Sequence, residues 1–176
     1  MPTRQFGEVE SDRLILLMVK VLFVCLGNIC RSPMAEGLFL HHMKAAGLSD
    51  QIEVDSAGTG GWHVGEPADR RMQQVAKSHG VDLPSRARKV RFSDFTEFDY
   101  ILAMDHSNFQ DLEDLARETP NATADLILMR HFDEVEPDSG VPDPYYGGAQ
   151  GFENVYQMLD RSTLKLLEHI RAEQKI

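Results

Sequence analysis

The sequence predicts an α/β fold: a four-stranded parallel sheet with helices on both faces, in a single domain. Three observations carry this expectation. Short apolar runs alternate with amphipathic segments along the chain. Runs such as Val21–Val24 are unbroken, as in strands covered on both faces. A chain of 176 residues, 42% hydrophobic and 26% charged, is enough for one sizeable core of ordinary globular composition.

The elements follow in order. Val21–Val24 is a buried strand, and Gly27 and Asn28 let the chain curl after it. Ser32 and Pro33 mark a helix start. Met34–Ala46 has apolar residues at helical spacing, with Gly47 at its end. Gln51–Ser56 reads as a second strand, followed by a glycine-rich loop over Ala57–Gly65. Asp69–His79 is a helix stopped by Gly80, and Arg86–Val90 is an irregular connection. A short helix fits within Phe92–Phe98, a strand over Tyr100–Met104, a helix over Ser107–Glu118 and a strand over Asp125–Met129. His131–Gly148 is a long loop rich in Pro, Gly and Asp, a kind that is usually functional. Phe152, Val155, Tyr156, Leu159, Leu166, Leu167 and Ile170 line one face of a C-terminal helix.

A net charge of −10 argues against nucleic acid as a partner. Only two cysteines are present, Cys25 and Cys30, and both lie in one short loop. That is no disulfide framework, and the seven histidines show no zinc-ligand spacing with them, so neither a metal nor another cofactor is expected. Two thiols in one loop suit a reducing cytoplasm. The apolar stretch Leu14–Cys25 is interrupted by Lys20 and is too short to span a membrane. Glu8, Glu10 and Asp12 stand where a signal peptide would be basic. The expectation is a cytoplasmic monomer.

The chemistry concentrates at the carboxyl end of the first strand, where ligands bind in doubly wound folds. Cys25-Leu26-Gly27-Asn28-Ile29-Cys30-Arg31 runs from strand to helix. A loop entering a helix N-terminus presents free N–H groups and a partial positive charge, which suit a phosphate-sized anion. Arg31 can add a bidentate contact. Helix N-termini and nearby cations bring thiols down from about 8.5 to roughly 3.5–7.5, which would make Cys25 a nucleophile. A strand-end cysteine is ordinarily a small hydrophobe, so the whole string, rather than Cys25 alone, carries the expectation. Asp143, held between Pro142 and Pro144, is the candidate general acid and base. An isolated Asp-Pro step is ordinarily a turn, and Asp133 and Asp138 compete in the same loop. Trp62, Tyr145 and Tyr146 are candidate pocket walls, while Asn28, Ser32 and Ser56 are candidate supports, with Asn for the turn and Ser for a cap as the plainer alternative. Cys30 is either loop packing or a redox partner for Cys25. His79 and the pair His41–His42 read as solvated helix residues.

Cys25-Leu-Gly-Asn-Ile-Cys-Arg31-Ser32-Pro33 resembles the signature loop of the low-molecular-weight protein tyrosine phosphatases. Val141-Pro-Asp143-Pro-Tyr-Tyr-Gly-Gly resembles their general-acid loop. Asp55-Ser-Ala-Gly-Thr and Ala103-Met-Asp105-His-Ser-Asn are weaker matches, and the four stand in the family's order. The resemblance implies the strand order 2-1-3-4. It also implies hydrolysis of protein phosphotyrosine and aryl phosphates through a phosphocysteine on Cys25, a tyrosine-phosphorylated protein as substrate, and a domain over residues 18–176 preceded by a poorly ordered extension over 1–17. Many relatives carry a histidine in the support network where this chain has Ser85. Two rival readings use the same loop. A thiol-linked arsenate reductase passes a disulfide to further cysteines, and none follows Cys30. A phosphocysteine carrier or phosphate-binding module would gain nothing from Asp143.

Overall fold

The computed structural model describes residues 18–176, so the expectation for residues 1–17 lies outside the described residues. Four parallel strands form one sheet: β1 (Val19–Cys25), β2 (Ile52–Gly58), β3 (Tyr100–Ala103) and β4 (Asp125–Leu128), in the order β2-β1-β3-β4. Helix α1 (Arg31–Ala45) follows β1 and α2 (Arg70–Ser78) follows β2. The short α3 (Asp94–Glu97) precedes β3, α4 (His106–Glu118) follows it, and α5 (Ala149–Gln174) closes the chain.

The central strand explains the layering. Side chains of a strand alternate between faces. Val19, Val21 and Phe23 therefore point to one side, where they join Met34, Leu38, Met72, Phe152, Leu159 and Leu166 from α1, α2 and α5. Leu22 and Val24 point to the other, against Phe95, Phe98 and Leu112. From Val21 onward both faces of β1 are thus dry, which is why Val21–Cys25 is continuously apolar. Full burial of one such side chain contributes about 1.5–3 kcal/mol. The two half-cores therefore outweigh any single surface ion pair in holding the sheet.

Several boundaries differ from expectation. Helix α1 begins at Arg31, before the expected Ser32–Pro33 start, and no side chain caps it. Ser32 is not a cap; its hydroxyl serves the site described below. The fourth strand stops at Leu128, and Met129–Phe132 instead forms a 3-10 turn packed against α5. Of the three histidines expected to be solvated, His41 and His79 are exposed and His42 is half-buried, and both His79 and His42 contact α5. His79 stacks on Tyr156 with ring centroids 3.7 Å apart and bonds Glu153, and His42 lies 3.1 Å from Asp160. Among the described residues, no helix is long and apolar enough to cross a membrane.

Candidate active site

Residues 25–31 wrap the carboxyl edge of β1 and feed α1. Asn28 takes φ +56°, a region its short polar side chain tolerates. The loop can lie flat because Gly58 faces it: a Cβ there would stand 2.7 Å from the Leu26 carbonyl oxygen. Thr59 N–H and Gly60 N–H donate to the carbonyls of Cys25 and Leu26, and Asp69 N–H donates to Ile29. The loop's carbonyls are thereby turned outward. Among the described residues, no backbone N–H from Leu26 to Cys30 donates to a protein acceptor. Together with the uncapped α1 N-terminus these groups form a concave donor nest, which favours an anion.

Beneath the nest runs a buried polar chain. Asn28 Nδ2 donates to Ser32 Oγ (2.8 Å) and Ser56 Oγ (3.0 Å), and Asn28 Oδ1 accepts from Arg88 N–H (3.0 Å). Ser32 Oγ lies 3.0 Å from Cys25 Sγ and 3.4 Å from the Ala57 carbonyl oxygen, so its one proton can be given to the sulfur or to that carbonyl. Ser56 Oγ donates to Glu36 Oε2 (2.7 Å), and Ser85 Oγ lies 3.5 Å from Ser56 Oγ. Ser85 thus joins the network. Burial raises the Glu36 carboxyl above its ordinary range, and the hydroxyls of Ser85 and Ser56 only partly oppose this.

Arg31 is 3% exposed. Its Nη1 donates to Asp105 Oδ2 (2.6 Å) and to the Val141 carbonyl (3.0 Å), while Nη2 stands 3.5 Å from Asp143 Oδ2. Asp105 has two tasks, since its Oδ1 also caps α4 through Asn108 N–H (2.7 Å). Asp143 accepts from Tyr145 N–H at 3.1 Å, an Asx turn that fixes the carboxylate beside Arg31. Asp133 is elsewhere: it lies buried between Arg130 and Arg161. Burial would raise its pKa, but those guanidinium groups and Val135 N–H hold it well below the usual carboxylate range. Asp138 pairs with His131 on the surface.

A cavity of about 350 Å³ unites Cys25, Leu26, Gly27, Ile29, Cys30, Arg31, Trp62, His63, Asp143, Tyr145 and Tyr146. Trp62 and Tyr146 stand at its mouth, 73% and 94% exposed. Any side chain at Gly60 would collide with the Trp62 ring, so glycine lets that ring fold back. Asn28, Ser32 and Ser56 are not in the wall; they lie below it. Cys25 and Cys30 are both free and buried, and burial, reinforced by the charge of Asp69, pushes the Cys30 thiol up. Among the described residues, no three His, Cys, Asp or Glu side chains are grouped to hold a metal.

The sequence of the chain from residue 20 to residue 176 matches the profile of the low molecular weight phosphotyrosine protein phosphatases. The chain belongs to that family. It is 44% identical over 156 residues to a low molecular weight protein-tyrosine-phosphatase of Streptomyces coelicolor, covering 88% of this chain and 94% of that one. A crystal structure of an Entamoeba histolytica protein tyrosine phosphatase superposes with TM-score 0.82 at 41% identity, covering 90% of this chain and 99% of the other. A Drosophila arginine phosphatase superposes equally well, with TM-score 0.82 at 39% identity over 87% of this chain and 98% of that one.

Sequence reasoning missed four contributors of this phosphatase fold: Glu36, His63, Arg71 and Arg88. It placed Asp105 in a motif without giving it a task. Asp105-x-x-Asn108 at the end of β3 is an N-cap pattern at the sheet's carboxyl edge, a signal present in the sequence. No signal marks Glu36, which falls on a helix face that only the fold buries.

Proposed function

We propose that the chain hydrolyses protein phosphotyrosine through a phosphocysteine on Cys25. Family membership makes it a cysteine-dependent phosphatase, and the assignment of individual steps rests on the site. The observation that carries it is the nest of unpaired N–H groups around the Cys25 sulfur, closed by the Arg31 guanidinium. A phosphoryl group bound there has its phosphorus facing the sulfur. Arg31 Nη2 and the loop N–H groups take the equatorial oxygens, where charge spreads in the transition state. The sulfur forms the S–P bond as the P–O bond to the tyrosine breaks, and Asp143 protonates the departing oxygen.

In the second step water attacks the phosphocysteine, Asp143 accepts its proton, and the sulfur leaves as thiolate. The Ser32 hydroxyl 3.0 Å away donates to that thiolate. Trp62, Tyr145 and Tyr146 at the mouth favour an aryl ester, since flat rings stack on the phenol. The free thiols of Cys25 and Cys30 suit a reducing compartment, in keeping with a cytoplasmic location.

The test is acid quenching during turnover of a phosphotyrosine peptide, followed by peptide mass mapping. The phosphoryl label is expected on Cys25, with none in Cys25→Ser, and phosphotyrosine is expected to be cleaved faster than phosphoarginine. A wild-type chain that releases phosphate without labelling Cys25 would overturn the mechanism.

A further inference from the structure

The acid loop is fastened on both sides of Asp143, and only the fastening on the Val141 side belongs to the machinery above. At Val141, the backbone N–H donates to the Met104 carbonyl (2.7 Å) and the carbonyl accepts from Arg31. Two residues beyond Asp143, the fastening is Arg71. Its Nη1 donates to the Tyr145 carbonyl at 3.2 Å. Its guanidinium carbon lies 5.3 Å from the centre of the Tyr145 ring and 4.6 Å from that of Phe152 at the start of α5. Both distances fall within cation–π range. The rest of the fork is held by Asp69, at 3.1 Å from Nε and 2.9 Å from Nη2. Asp69 in turn binds the phosphate loop, through its own N–H to the Ile29 carbonyl (2.7 Å).

One guanidinium therefore joins the phosphate loop, the N-terminus of α2, the acid loop and α5. Tyr145 N–H is the group that holds Asp143 Oδ1. A shift of Tyr145 is passed directly to the carboxylate.

We propose that Arg71 is a positioning residue for Asp143: it fixes the acid loop against the phosphate loop without touching the phosphoryl group. This rests on the reading of Asp143 as general acid. A planar fork stacked on rings and bonded on two edges suits this task, and an ammonium does not. Losing Arg71 leaves the anion nest and Arg31 in place, so phosphate binding survives while protonation of the leaving group suffers.

The experiment compares wild type, Arg71→Ala, Arg71→Lys, Asp143→Ala and the Arg71→Ala/Asp143→Ala double variant. Each is assayed for kcat/KM on phenyl phosphate and on 4-nitrophenyl phosphate, and for inhibition by inorganic phosphate. Arg71→Ala is expected to lose about tenfold or more on phenyl phosphate and clearly less on the nitrophenyl ester, which needs little help from an acid. Arg71→Lys should fall between Arg71→Ala and wild type. Inhibition by phosphate should change less than about threefold, which also shows that the variant is folded. In the double variant, removing Arg71 should add little to the loss from Asp143→Ala, because both act on one step. Equal loss on both esters, or additive losses in the double variant, would overturn the role of Arg71 while leaving Asp143 intact. If Asp143→Ala itself shows no leaving-group dependence, the general-acid reading fails and the role of Arg71 falls with it.

Discussion

At the scale of single residues, the site is set by which polar groups are satisfied by protein and which are not. The side-chain amide of Asn28 is committed to the support chain, whereas the loop backbone N–H groups have no protein acceptor among the described residues. Arg31 divides its fork, with Nη1 held by Asp105 and Val141 and Nη2 beside Asp143. Arg31→Lys keeps the charge but not the planar fork, so it cannot serve Asp105 and a bound anion from two ends at once. A hydrogen bond to a charged group is worth about 1.5–3 kcal/mol. Roughly a ten- to hundredfold fall in kcat/KM is therefore expected, with weaker phosphate inhibition; steady-state kinetics on 4-nitrophenyl phosphate decide it. Cys30 gives a second prediction at this scale. Peroxide oxidises Cys25 to sulfenic acid; the Cys30 sulfur then attacks it, forming a disulfide and releasing water. Burial pushes the Cys30 thiol up, so little thiolate is present at neutral pH and ring closure should speed up as pH rises. After peroxide, the fraction of activity recovered by dithiothreitol should increase with pH in wild type. Recovery should be largely lost in Cys30→Ser, with added oxygens on Cys25 by intact mass. Equal recovery in both proteins would reduce Cys30 to packing.

At the scale of elements, the 3-10 turn after β4 is where expectation and structure part. An apolar run into Met129 reads as continued strand, but Arg130 and Asp133 form a buried pair at i and i+3 that tightens the chain into a turn. Asp133 also takes a two-pronged contact from Arg161 of α5, at 2.7 and 3.0 Å. The base of the acid loop is thus clamped to the C-terminal helix. Asp133→Asn is expected to destabilise the fold by about 3 kcal/mol, the low end for breaking a buried pair, because Glu136 still holds Arg130 Nη2. Urea unfolding measures this. Since Asp133 lies outside the cavity, kcat on 4-nitrophenyl phosphate at low temperature should fall far less than for Asp143→Ala. A loss of activity without loss of stability would mean that Asp133 has a task in the site itself.

At the scale of the whole molecule, Glu36 couples the site to stability. Its carboxyl is buried beneath the phosphate loop, and burial raises its pKa in the folded state. The folded chain therefore keeps this proton in a range where the unfolded chain, with an ordinary value of about 4.3, has lost it. The folded state binds more protons in that window, so stability falls as pH rises through it. Glu36→Gln can still accept from Ser56 but does not titrate. Its Tm should decline less than the wild-type Tm between the ordinary glutamate value and neutral pH, as followed by circular dichroism. Parallel curves would mean that Glu36 is ionised in the fold.

The same molecule shows what a linear chain can and cannot specify. Strand and helix periodicity fixed the layers, because each element's contacts repeat along its own sequence. The Cys25–Arg31 loop was legible for a related reason: an anion nest is made of consecutive backbone groups, so its residues must be neighbours in the chain. Asp143 was legible only through its Pro-flanked motif, and Asp133 and Asp138 remained its rivals until their side chains were seen committed to Arg130, Arg161 and His131. The remaining contributors were decided by tertiary structure alone. Glu36, Asp105, His63, Arg71 and Arg88 come from five separate segments, and each meets the site only through tertiary contacts, Arg88 by its backbone N–H and the others by their side chains. Their residue types are ordinary for exposed helices and loops. Only the packing of β1 between β2 and β3, with α1, α2 and α5 above it, makes one carboxyl buried, one aspartate shared and one arginine a clamp.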